Sequence, residues 1–205
     1  MDPAVALVQA YLQLNGYLTV TEYPITTGTG QEAKAVTDVD LIALRFPGAR
    51  AVGGEEEDLL DTDPLLQVGN DAMDLLICEV KEGKGRVNPN LTRGDTLTRT
   101  LQRVGCCPRA HISHHVESLL NAGSAVMDHG GVVCRARLAV FAGRPGRPRH
   151  ALVVPLAHAA REVCRYLHVH EPQLHATQFS QPALAQLGLL MKLGLFQYPR
   201  PTRAR

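Results

Sequence analysis

Apolar positions along this chain recur with two spacings, one near 3.6 residues and one near 2, and their order lays out an α/β protein. Residues 3–15 place Val5, Leu7, Val8, Tyr11, Leu12 and Leu14 close to helical spacing, with Gly16 as the stop. Residues 17–25 are rich in β-branched and aromatic side chains and read as a strand, and 40–46 and 75–81 are two further apolar runs of strand length. Between these last two lies a long insertion, 47–74, which carries the acidic run Glu55-Glu56-Glu57-Asp58. Asp95 is a candidate cap for a helix over 96–104, and 110–121 predicts another helix. Residues 131–141 read as a strand, 143–149 as a basic turn punctuated by Pro145 and Pro148, and 151–154 as a short last strand. Helices follow at 156–167 and, after the Ser180-Gln181-Pro182 start, at 182–193.

One run breaks its own pattern. In Leu75-Leu76-Ile77-Cys78-Glu79-Val80-Lys81 a carboxylate and an ammonium interrupt a run of five residues that belong in a core. Side chains alternate along a strand, so Glu79 and Lys81 share one face while Cys78 and Val80 share the other. Charges are rarely placed in such a setting unless they are paired or bind something. Upstream, Thr37-Asp38-Val39-Asp40 opens the preceding strand. The pattern is an Asp, a long gap, then Glu-X-Lys.

Asp40-Leu41-Ile42-Ala43 followed by Ile77-Cys78-Glu79-Val80-Lys81 resembles the PD-(D/E)XK nuclease superfamily, over roughly residues 4–140. The resemblance implies a restriction endonuclease-like αβββαβ core, with a mixed central sheet flanked by helices. It also implies that Asp40 and Glu79 bind Mg²⁺ (or Mn²⁺) and that Lys81 positions or activates the attacking water. Two positions depart from the family pattern: Val39 stands where a Pro is common, and the first helix carries no Glu. Glu22 and Glu32 are the candidate substitutes, and Asp38 replaces Asp40 if the strand register slips by one alternation. The chemistry suits the residue types. Mg²⁺ prefers oxygen ligands and keeps several waters, so two carboxylates and a backbone carbonyl, here that of Val80, form a suitable shell. A hard cation neutralises phosphate charge and acidifies water, and an adjacent ammonium stabilises developing negative charge.

Charge adds to this picture through its distribution. Residues 1–134 hold 10 Lys/Arg against 18 Asp/Glu, whereas 135–205 hold 11 against 2, although the whole chain nets only +1. Such asymmetry points to a polyanion-binding face. Lys84, Arg86, Arg135 and Arg137 are the candidate nucleic-acid contacts, because guanidinium and ammonium groups match phosphate oxygens. Arg144, Arg147 and Arg149 extend the basic stretch, while Arg200, Arg203 and Arg205 read as a solvated tail.

Other chemistries are poorly served. Residues 26–32 lack the Gly-Lys-Ser/Thr ending of a phosphate-binding loop, and no Gly-X-Ser-X-Gly elbow is present. His111 and His115 have a spacing that puts both on one helix face, without companions at a zinc-ligand spacing. Five cysteines, an odd number without repeated spacing, suit reduced thiols in the cytoplasm. Met1-Asp2-Pro3 does not open a secretion signal, and no run of about 18 apolar residues exists to cross a membrane.

These readings converge on a nuclease-like core over 1–155 and a helical extension over 156–205, docked on the core or serving a dimer contact. The expected activity is metal-dependent hydrolysis of DNA. The alternative is a non-catalytic protein of the same fold, acting as a DNA-binding or assembly subunit. A small metabolic enzyme or plain interaction module requires Asp40 and Glu79 to diverge in space. Nicking suits a monomer, whereas paired cuts call for a homodimer or larger assembly.

Overall fold

The computed structural model describes residues 2–27, 34–49, 62–69, 71–85, 88–89, 91–144, 146, 150–174 and 176–195. Helix α1 (Pro3–Leu14) begins where expected: Asp2 caps it by accepting from the backbone N–H groups of Ala4 and Val5, and Pro3 fits the first turn. Strands β1 (Leu18–Thr27), β2 (Lys34–Arg45) and β3 (Met73–Lys84) form an antiparallel meander. β2 starts six residues before the expected Asp40, because 34–39 pair with β1 even though they lack a continuous apolar run. The acidic run of the following insertion lies outside the described residues.

Helices α2 (Gly94–Val104) and α3 (Ile112–Ala122) lead to a hairpin of β4 (Ser124–His129) and β5 (Val132–Arg144). Asp95 does not cap α2 as expected. Arg93 is the capping position, and Asp95 lies in the first turn with its carboxylate on the Arg93 guanidinium. β4 has no counterpart in the expected elements. Its turn, Gly130-Gly131, has φ of +60° and +82°, the paired left-handed geometry that a two-residue hairpin needs and glycine supplies. β5 runs parallel to β3, and the short β6 (Leu152–Pro155) runs parallel to β5. The result is a mixed six-stranded sheet in the order β1-β2-β3-β5-β4, with β6 branching from β5.

Helices α4 (Leu156–Val169), α5 (Glu171–Leu174) and α6 (Pro182–Lys192) are the last elements among the described residues. The sheet separates two apolar clusters. On one face, Leu41, Ala43, Leu76, Cys78, Val80, Ala139 and Phe141 pack with α1, α4 and Leu184 of α6. On the other, Ile42, Leu75, Ile77, Ala136 and Leu138 pack with Leu97, Leu101, Val116 and Leu119 of α2 and α3. The C-terminal helices therefore dock on α1, where Gln181 both caps α6 and donates to the carbonyl of Ala6. No described helix is long and apolar enough to cross a membrane.

Candidate active site

The register of β2 on β3 brings the expected acids together. Leu41 pairs with Cys78, so the next position, Asp40, lies across from Glu79. There the ladder changes character. Val39 and Tyr23 pack in the cluster beneath α2 and α3, whereas Leu41 packs in the cluster beneath α1 and Thr19 is bonded by Gln9 and Gln13 of α1. Strict alternation would keep Val39 with Leu41 and Tyr23 with Thr19. Both strands switch faces between the Thr21–Leu41 and Tyr23–Val39 pairs, at Glu22 and Asp40, and Glu22 adopts a φ of +52° there. As β2 turns, the Asp40 carboxylate takes over from the backbone ladder: its Oδ2 accepts the N–H of Val80 at 2.7 Å. A strand residue directs its N–H and C=O toward the same neighbour, so the Val80 carbonyl also faces the β2 side.

Glu79 and Lys81 point to the α2/α3 face and form an ion pair. Glu79 is 2% exposed, while the Lys81 side chain is 42% exposed, so the ammonium marks the open side of the site. Burial raises the Glu79 carboxyl above the usual range, and the negative charge of Asp40 raises it further against the pull of Lys81. Burial acts to lower the Lys81 ammonium, but Glu79 and Asp40 outweigh it and hold it above its usual value. Two carboxylates thus face one ammonium. Of the candidate substitutes for a helix-borne acid, Glu22 flanks Asp40 on β1 and Glu32 lies outside the described residues. Asp38 pairs with Pro24, farther along β2 from β3 than Asp40. Among the described residues no cluster of three or more His, Cys, Asp or Glu side chains could hold a metal ion.

The four candidate nucleic-acid contacts divide. Lys84 is exposed at the end of β3, beyond Lys81. Arg86 lies outside the described residues, as do Arg147, Arg149 and the tail arginines. Arg135 and Arg137 stand on the α1/α4 face, opposite Glu79 and Lys81, because they share the alternation of Ala139 and Phe141. Arg137 is a correction to the expected role. It is buried, and its Nε and Nη2 bond the two oxygens of Asp74 at 2.8 and 2.5 Å, while Tyr17 donates to the same carboxylate at 2.6 Å. Arg135 is half-buried and bonds the carbonyl of Gln67.

A second network escaped the sequence reading. Asp63 Oδ2 accepts from the Tyr11 hydroxyl at 2.7 Å and meets His158 Nε2 at 2.5 Å, which ties α1, the segment before the 3₁₀ turn Pro64–Leu66, and α4 together. The partners lie 52 and 95 residues from Asp63 in the chain, a separation that no local motif reports. His111, at the N-cap of α3, meets His115 edge-on, and His115 also contacts His114, without a metal-holding group among the described residues. All five cysteines are free thiols.

Comparisons with known proteins add no identity: no family model, no curated protein and no solved structure matches this chain.

Proposed function

We propose that this protein is a metal-dependent nuclease with a restriction endonuclease-like core that hydrolyses DNA phosphodiester bonds in the cytoplasm. The observation that carries the reading is the meeting of Asp40, Glu79 and Lys81 where β2 leaves β3, at the end of β3 far from the buried Asp74–Arg137 pair. The element order supports it. One helix, three antiparallel strands, a helical crossover and a strand parallel to the third give the αβββαβ sequence, with β4 added as a hairpin partner of β5.

The donor set fits Mg²⁺ or Mn²⁺. Two carboxylates with a single ammonium leave the site one negative charge in excess, and the raised Glu79 carboxyl marks a place where a cation is favoured. Asp40 and Glu79 would hold the ion, with the Val80 carbonyl on the same side. When bound, such an ion supplies charge neutralisation at the phosphate and acidifies water. Lys81, half in solvent beside Glu79, is placed to donate to a phosphate oxygen and to stabilise the charge that builds as the P–O bond to the leaving strand breaks.

The second reading is a DNA-binding or assembly subunit on the same scaffold. It is favoured by the absence, among the described residues, of a third acid close enough to complete an all-protein metal cluster. Incubating plasmid and branched DNA with Mg²⁺ or Mn²⁺ separates the two. Wild type should cut, and Lys81→Ala or Asp40→Asn should lose about 10²–10³ in rate, the scale of a removed charge-stabilising group. DNA binding without metal-dependent cutting by wild type overturns the catalytic reading in favour of the subunit.

A further inference from the structure

The pairing of β3 with β5 is regular through Lys81, opposite Ala142, and resumes at Lys84, opposite Arg144. Three residues on β3 thus match two on β5, and Glu82 and Gly83 together oppose Gly143. This is a β-bulge, a device that re-aims side chains and is over-represented beside active sites. Its consequence follows from alternation. Without the extra residue Lys84, three places after Lys81, would point to the opposite face. With it, Lys84 comes directly opposite Arg144, so the two cations are cross-strand neighbours just beyond Lys81, at the same end of β3.

The bulge is built into the sequence. A Cβ on Gly143 would fall 1.9 Å from the carbonyl oxygen of Glu82, so only glycine lets the bulged backbone approach β5 this closely. Lys84 and Arg144 are both exposed, and among the described residues neither has an ion-pair or side-chain hydrogen-bond partner. Two like charges opposite each other on neighbouring strands repel. An arrangement that spends a bulge to create that repulsion makes sense when an anion sits between them.

We propose that Lys84 and Arg144 form a two-cation clamp for a DNA backbone phosphate, beside the one that faces Lys81. The proposal rests on the nuclease reading only for the identity of that neighbouring phosphate. From Ala142 to Arg144 is two strand residues, about 6.6 Å. That spacing suits consecutive phosphates of one strand. Arg144 is a new member of the proposed substrate-binding surface, in a place that Arg137, buried on Asp74, does not fill. The clamp positions the strand; it touches no reacting atom.

The test is the salt dependence of DNA binding without divalent ions, read by fluorescence anisotropy of a short labelled duplex. Wild type, Lys84→Gln/Arg144→Gln and the charge-conserving Lys84→Arg/Arg144→Lys are compared, with thermal melts confirming that each is folded. Each released counterion contributes about 0.9 to the slope of log K against log salt, so the glutamine pair should flatten it by about 1.8 and weaken binding, while the conservative pair restores both. An unchanged slope and affinity in the glutamine pair overturns the clamp, as does a wild type that does not bind DNA. The same wild type is assayed for cleavage with Mg²⁺. Slope loss without cleavage sinks the nuclease reading and leaves the clamp standing, and cleavage with an unchanged slope does the reverse.

Discussion

Replacing Arg137 with Ala gives a direct measure of how the sheet uses its buried charge. The Arg137 and Asp74 side chains are each 4% exposed, and the pair is bidentate, with the Tyr17 hydroxyl as a third bond to the carboxylate. Burial, followed by the charge of Asp74, pushes the Tyr17 hydroxyl far up, so it remains a proton donor at every accessible pH. Truncating Arg137 leaves a buried carboxylate with that one neutral donor. Breaking such a pair costs about 3–5 kcal/mol. For a domain of this size each kcal/mol is about 2–4 °C, so Tm should fall by roughly 6–20 °C. Circular dichroism melts and urea titrations measure it. The pair Arg137→Met with Asp74→Leu should regain most of the loss, because removing both charges also removes their desolvation. A Tm change within the ordinary surface range of about 0.5 kcal/mol refutes the reasoning. A loss of DNA affinity at unchanged stability would return Arg137 to the interface.

Two further substitutions probe the site. Glu79→Gln should abolish metal-dependent cleavage yet stabilise the protein at neutral pH by about 0.5–2 kcal/mol, a size common for relieving a strained functional site. The sign follows from the raised Glu79 carboxyl: its favourable neutral form is fully present below the ordinary carboxylate range and is lost as pH rises through the raised folded value. The gain of the Gln variant should therefore shrink as pH falls toward about 4.3, the usual Glu value, in melts across pH; a constant or reversed difference contradicts the burial argument. Glu22→Gly should relieve the left-handed backbone at φ +52° and stabilise by a net ~0.5–1 kcal/mol, while lowering cleavage if its carboxylate serves Asp40. Destabilisation in urea titration together with full cleavage would show that the strain at Glu22 is unrelated to the site.

Much of this architecture was legible in the chain because it rests on local patterns. The apolar spacing over 3–15 and the Gly16 stop predict a helix, and α1 follows both. The run at 75–81 combines apolar density with two charges on one parity, and β3 places those charges as the alternation requires. What escaped lies in pairings between distant segments. β4 is a six-residue strand whose register comes from its partner β5, and of its two turn glycines the second, Gly131, reads by pattern as the start of the next strand. In the sequence, charge alone groups Arg135 and Arg137 with Lys84. Their face depends on the register of β5 against β3, and the bulge that turns Lys84 depends on one residue more on β3 than on β5. The face switch at Glu22 and Asp40 is likewise a property of two strands together.

The two buried charge clusters of the sheet show why one is structural and the other poised. At one end of β3, Asp74 has a single guanidinium on both oxygens and a phenol as well, so the charge is balanced and each oxygen is bonded. At the other end, Asp40 and Glu79 share one ammonium, Glu79 Oε1 is fully buried with Lys81 as its ion-pair partner, and its carboxyl is driven up. A fold seeking only stability gains by removing such an imbalance, since well-packed apolar groups in place of buried charge are often neutral or better. The cluster also sits where β2 has left the ladder and where a residue is held at positive φ, so three separate costs fall on one spot. Strain and unbalanced charge concentrate where a ligand restores the balance. The end with Asp74 asks for nothing from solution; the end with Glu79 is one positive charge short, and the side on which Lys81 meets solvent is where that charge can enter.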